Sequence, residues 1–218
     1  MSLPKPTAIL FDWDNTLVDT WPTIHTALNM TMRYMDHPEW SIEKVRRDVK
    51  KSMRDAFPEL FGERWEDAAK HFQDSYRSIH LERLTPLPGA EAMLAAAARA
   101  AKLGVVSNKH GTNLRREFAH LGWDKYIATA VGAGDAARDK PAPDHPLMAL
   151  AALETEATRS VWFVGDTVVD LECAAAIGAT PLLYGDHRTE GSIFEGSPFA
   201  AHVRSHTELA ELIADAAA

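Results

Sequence analysis

Short unbroken apolar runs recur along the chain at residues 8–11, 103–107, 127–131, 161–164 and 180–184, and Val203 closes a shorter one. Continuous apolar runs of this length, rich in β-branched residues, read as strands buried on both faces, the habit of a parallel sheet. Between them, residues 90–102, 112–121, 144–153 and 171–177 read as helices. Ser205, with Glu208 three residues on, gives a last helix a capping-box start before Leu209, Ala210, Leu212 and Ile213. Strand–helix alternation predicts an α/β, Rossmann-like fold: a parallel sheet with helices on both faces.

Residues 20–86 break this rhythm. They read as helical, without a parallel strand, and stiff turns mark both ends, at Pro22 and at Pro86-Leu87-Pro88-Gly89. The pattern therefore predicts a core made of residues 1–19 and 87–218, with a small α-helical cap inserted after the first strand. Ligands of open α/β sheets bind beyond the carboxyl ends of the strands, so an insert leaving from there is expected to act as a lid. Within it, residues 41–57 read as one amphipathic helix, with Ile42, Val45, Val49 and Met53 on one stripe. Arg46, Arg47, Lys50, Lys51 and Arg54 cover an adjacent face. That face is either a solvated surface or a selector of anionic leaving groups.

Composition narrows the picture modestly. The chain has 218 residues, 46% hydrophobic and 25% charged, as in ordinary soluble domains. A net charge of −8 argues against nucleic acid as a partner, because phosphate-backbone affinity needs clustered positive charge. The single cysteine, Cys173, precludes an internal disulfide and lies in a helical segment as a small apolar core residue. No apolar run approaches the roughly 20 residues that span a bilayer, and the first residues lack a signal-peptide core. A cytoplasmic protein without membrane association is expected.

The chemistry lies where apolar runs end. The first run stops at Asp12-Trp13-Asp14-Asn15-Thr16, and two carboxylates so close repel unless a cation or a shared proton offsets them. Further polar clusters are Ser107-Asn108, Lys140-Pro141, and Gly165-Asp166 with Asp170 four residues later. Clusters at the ends of parallel strands converge on one crevice. The set suits phosphoryl transfer through an aspartate. One carboxylate attacks phosphorus, and a second acid two residues on protonates the leaving oxygen and then activates water. Asp12, Asp14 and Asp166 supply hard oxygen ligands suited to Mg²⁺. Thr16, Ser107, Asn108 and Lys140 are the candidates for binding phosphate oxygens.

Residues 9–19, Ile-Leu-Phe-Asp-Trp-Asp-Asn-Thr-Leu-Val-Asp, resemble motif one of the haloacid dehalogenase-like hydrolase superfamily in its phosphatase form. Val105-Val106-Ser107-Asn108-Lys109 resembles motif two, Asp139-Lys140-Pro141 motif three, and residues 164–170 motif four. The phosphoglycolate-phosphatase-like branch with a helical cap is the nearest likeness. The resemblance implies Asp12 as nucleophile, Asp14 as general acid and base, and Asp166 as metal ligand beside Asp12 and the Asp14 carbonyl. It implies that Lys140 holds the nucleophile and phosphate, and that Asp170 orients Lys140 or a metal-bound water. Asn15 stands where the family more often has glycine, yet asparagine tolerates left-handed geometry.

A small phosphorylated metabolite is the implied substrate, and nothing in the chain names it. Asp14 excludes a dehalogenase, since halide needs no protonation on leaving. A phosphomutase shares the whole core and stays open, as does a phospho-aspartate switch, which Asp14 disfavours. An EF-hand reading of Asp12, Asp14 and Thr16 fails because position six is Leu17 and position twelve Thr23. The segment Gly132-Ala133-Gly134 imitates a dinucleotide fingerprint, but Pro141 and Pro143 interrupt the helix it should open.

Overall fold

The computed structural model describes residues 3–49, 52–187, 194 and 196–217. The chain divides into two compact units, one of Met1–Val18 and Pro86–Ala218, the other of Asp19–Thr85. The larger unit is built on a six-stranded sheet in the order β5-β4-β1-β6-β7-β8, and every pairing in it is parallel. The strands are β1 (Ala8–Phe11), β4 (Lys102–His110), β5 (Thr129–Ala133), β6 (Val161–Gly165), β7 (Thr180–Tyr184) and β8 (Ala201–Val203). β1 lies between β4 and β6, and all four of its residues are buried. After β1 the chain builds outward through β4 and β5, then crosses to β6 and builds the other way. This is the classical doubly wound order, with its switch point beside β1, where ligands of such sheets collect.

Helices α5 (Ala90–Ala97), α6 (Gly111–Leu121), α7 (Asp144–Ala152), α8 (Val168–Ala176) and α9 (His206–Ala217) belong to this unit. A core of Leu10, Val106, Ala149, Leu150, Phe163 and Cys173 fills the space between sheet and helices. Burial pushes the Cys173 thiol up to about 12, so it is an inert apolar group, as its sequence context suggests.

Several boundaries differ from the sequence pattern. α5 stops at Ala97 rather than at residue 102, because Lys102 pairs with Ala8 as the first rung of β4. Sheet pairing overrides alanine's helix preference there. β5 begins at Thr129 rather than at 127, since the N–H groups of Tyr126 and Ile127 both turn back to the Trp123 carbonyl. α8 begins at Val168 rather than at 171, because Thr167 and Asp170 form a capping box that starts it earlier.

The second unit contains α1 (Trp21–Tyr34), α2 (Ile42–Asp48), α3 (Met53–Phe61) and α4 (Trp65–Ile79) around a core that includes Leu28, Met32, Val45, Phe57 and Phe61. The chain enters it through β2 (Val18–Asp19) and leaves through β3 (Thr85–Pro86), which pair with each other. The single helix expected over residues 41–57 is two helices. α2 ends at Asp48, Val49 after it is extended, and α3 starts after Ser52. Ser52, whose hydroxyl donates to Asp55 at 2.9 Å, is a second helix-start signal inside the supposed helix. Of the expected basic face, Arg46 and Arg47 lie on α2 and Arg54 on α3, all three exposed, and Arg47 pairs with Asp48. Lys50 and Lys51 lie outside the described residues. Among the described residues no helix is long and apolar enough to cross a membrane.

Candidate active site

All the predicted site residues fall in the larger unit. β1 delivers Asp12 with its backbone still bound in the sheet, its N–H donating to Val164 O at 2.8 Å. A tight turn follows, in which Leu17 and Val18 direct their N–H groups back to Trp13 O at 3.0 and 3.2 Å. Asn15 sits in that turn with φ of 61°, a left-handed conformation that asparagine adopts more readily than most residues. The departure from glycine at this position is thus accommodated.

Lys140 gathers three elements. Its ammonium donates to Asp12 Oδ1 at 2.7 Å, to Asp170 Oδ1 at 2.7 Å and to Val106 O at 2.9 Å. The lysine and both acids are buried. Burial disfavours the ammonium, but the charges of Asp12 and Asp170 outweigh it, so Lys140 stays protonated above the ordinary lysine range. Asp12 shows the opposite balance. Burial first, then the neighbouring carboxylates of Asp170 and Asp14, push its carboxyl up to about 7 against the downward pull of Lys140. The cluster is short of positive charge, and a cation bound beside Asp12 would favour its ionised form.

Asp170 is fixed from its own helix. Its Oδ2 accepts from Thr167 N at 3.0 Å and from the Thr167 hydroxyl at 2.7 Å. A Cβ on Gly165 would lie 2.3 Å from the Asp170 carboxyl carbon, so only glycine leaves room for that carboxylate. Carboxylate oxygens of Asp12, Asp166 and Asp170 lie within 4.8 Å of one another, a hard-oxygen set that fits a divalent cation. The fit is through Asp12 and Asp166 above all, since Asp170 is committed to Lys140 and Thr167. Thr16, fully buried, reaches Asp166 Oδ1 at 3.4 Å with its hydroxyl.

The segment that ends β4 distributes its side chains to different tasks. The Ser107 hydroxyl accepts from Lys109 N–H at 3.2 Å, which leaves its own proton to give. The Asn108 side chain grips the backbone of Lys140, accepting from its N–H at 2.9 Å and donating to its carbonyl at 3.0 Å. Its amide therefore anchors the Lys140 loop, a use that the sequence reading, with Asn108 as a phosphate donor, did not foresee.

Lys109 closes motif two but carries no assigned role in the sequence. Its ammonium lies 2.7 Å from Asp14 Oδ1 and 2.6 Å from Glu117 Oε2. The same Glu117 oxygen accepts from the Trp13 indole N–H at 2.7 Å. Trp13 is fully buried and packs edge-on against Phe118 and Trp123. The Asp14 carboxylate thus points to Lys109, while Asp12 points to Lys140.

A match over residues 9–183 identifies the chain as a haloacid dehalogenase-like hydrolase, and it belongs to that family. Its curated relatives include the phosphoglycolate phosphatase of Rhodospirillum rubrum, 34% identical over 187 residues that cover 79% of this chain and 77% of that one. Another is the phosphoglycolate phosphatase of Xylella fastidiosa, 29% identical over 180 residues with the same coverage, 79% and 77%. Among solved structures, a HAD-superfamily hydrolase from Ehrlichia chaffeensis superimposes with a TM-score of 0.67 at 26% identity, covering 99% of both chains.

Proposed function

We propose that this enzyme is a Mg²⁺-dependent phosphomonoester hydrolase that acts on a small phosphorylated metabolite through an aspartyl-phosphate on Asp12. The observation that carries the reading is Lys140 holding Asp12 and Asp170 together at 2.7 Å each, with a second acid, Asp14, two residues from the nucleophile. In the first step an Asp12 oxygen attacks phosphorus and the bond to the leaving oxygen breaks. Asp14 in its acid form supplies the proton that the leaving alkoxide needs. In the second step the Asp14 carboxylate takes a proton from water, whose oxygen attacks phosphorus and frees Asp12 and inorganic phosphate.

On this reading Lys140, Ser107 and Thr16 are the donors to the phosphoryl oxygens. Asp12, Asp166 and the backbone carbonyl of Asp14 are the groups that would hold Mg²⁺, and the ion when bound offsets the repulsion between Asp12 and an anionic ester. A short phosphorylated carboxylic acid is the first substrate to try, because both the Rhodospirillum and Xylella relatives are named phosphoglycolate phosphatases.

The test is phosphate release from a panel of phosphorylated metabolites, phosphoglycolate among them, with Mg²⁺ and with chelator. Turnover that needs the ion is expected. Phosphate moved to a sugar hydroxyl instead of water would make the enzyme a mutase, and turnover indifferent to chelator would defeat the metal-assisted mechanism.

A further inference from the structure

The proposed mechanism uses Asp12, Asp14 and Lys140 but gives no part to Lys109 and Glu117, which are almost wholly shut off from solvent, with side chains 5% and 0% exposed. Burying a lysine and a glutamate is expensive, and such a pair is often no more stabilising than apolar residues of the same volume. Stability is therefore a poor reason for it. Its geometry offers a better one. Glu117 stands inside α6 and takes the Trp13 indole N–H and the Lys109 ammonium on one oxygen, at 2.7 and 2.6 Å. Trp13 separates Asp12 from Asp14, and Lys109 meets the Asp14 carboxylate at 2.7 Å. One buried carboxylate thus fixes both the residue between the two acids and the cation on the second of them.

On the reading of Asp14 as general acid and base, we propose that Lys109, braced by Glu117, is the positioning residue for the Asp14 side chain. The ammonium anchors one carboxylate oxygen, so the carboxyl has one orientation in which to present the other to the leaving group and then to water. A carboxylate on a free rotor would lose reaction geometry, and misplacement by about 1 Å can lower a rate on the order of 10²-fold. Lys109 need not touch substrate for this.

The experiment measures kcat/KM, which reports the first phosphoryl transfer, for an alkyl phosphate and for p-nitrophenyl phosphate with Mg²⁺. Nitrophenolate leaves without a proton, so only the alkyl ester needs Asp14 in that step. Lys109→Met should lower kcat/KM on the alkyl ester by on the order of 10²-fold, the cost of a misplaced catalytic group, and change the nitrophenyl value little. In an Asp14→Asn background the same substitution should cost nothing further. Because Lys109→Met takes the ammonium from the buried Glu117 charge, the Lys109→Met/Glu117→Gln variant is measured beside it. It is neutral and near-isosteric, and the glutamine oxygen can still accept from Trp13.

Wild-type enzyme that hydrolyses no ester, or Asp14→Asn with normal rates on the alkyl ester, overturns the underlying reading and this proposal with it. A functional Asp14 combined with Lys109 variants that depress both esters alike, or that add their full loss to Asp14→Asn, overturns the positioning role alone. Faster turnover in Lys109→Met would also overturn it, showing that the contact restrains Asp14 instead of presenting it.

Discussion

Around Lys140 and around Lys109 the molecule repeats one device, a buried ammonium that links one of the two turn acids to a further carboxylate, yet the surroundings differ. Lys140 joins Asp12 to Asp170, and Asp170 is itself clamped by the Thr167 N–H and hydroxyl. Lys109 joins Asp14 to Glu117, and Glu117 also holds Trp13. Asp12 has a side chain 9% exposed and Asp14 one 20% exposed. The enclosed acid suits a nucleophile whose position must not vary. The more open acid suits proton traffic with a leaving group and with water. On the proposed mechanism a pair of like carboxylates two residues apart takes two roles set by environment, which is how neighbouring acids generally divide labour.

The comparison breaks most completely at Asp12. Asp12→Asn should abolish phosphate release to background in an assay with Mg²⁺, since an amide is a poor nucleophile and a poor metal ligand. Turnover surviving the change would remove the nucleophile from the account. Lys140→Met should be nearly as severe for activity. It should also destabilise the fold by about 3–5 kcal/mol in chemical denaturation, because two buried carboxylates lose their shared cation. Gly165→Ala sharpens the Lys140 side without touching a charge. A Cβ there overlaps the Asp170 carboxylate, so a loss of roughly 1–3 kcal/mol in stability is expected, with a fall in kcat as Asp170 and Lys140 shift. An alanine variant with wild-type melting and kcat would show that Asp170's placement is not critical.

Legibility in the sequence follows the same division. Asp12, Ser107 and Asp166 close or directly follow apolar runs, and the pattern marks Asp12 and Asp166 as strand-end residues, while β4 runs past Ser107 to His110. Lys140 and Asp170 are legible through local motifs, whereas the Thr167–Asp170 capping box that starts α8 is a signal the apolar pattern alone does not carry. Glu117 is not. It lies mid-helix among Arg115, Arg116 and His120, where a glutamate ordinarily faces water, and only the packing of α6 against the sheet turns it inward. Asn108 is legible as a site residue but not as the anchor of the Lys140 backbone, because that contact spans 32 residues. The break at Val49 shows a weaker failure. An apolar stripe at helical spacing continues through residues 41–57 and hides the start signal Ser52-x-x-Asp55 within it.

The claim that the two acids play different parts, Asp12 as nucleophile and Asp14 as proton carrier, is tested most directly by rapid-mixing kinetics of Asp14→Asn with p-nitrophenyl phosphate and Mg²⁺. The first step needs no proton from Asp14 with this ester, whereas water attack on the phosphorylated enzyme does, at a loss of roughly 10²–10⁴-fold without the base. The account predicts a burst of nitrophenolate stoichiometric with enzyme, followed by slow turnover, and phosphate label recovered on Asp12 after acid quench. A slow linear course without a burst, or label on any other residue, would contradict it.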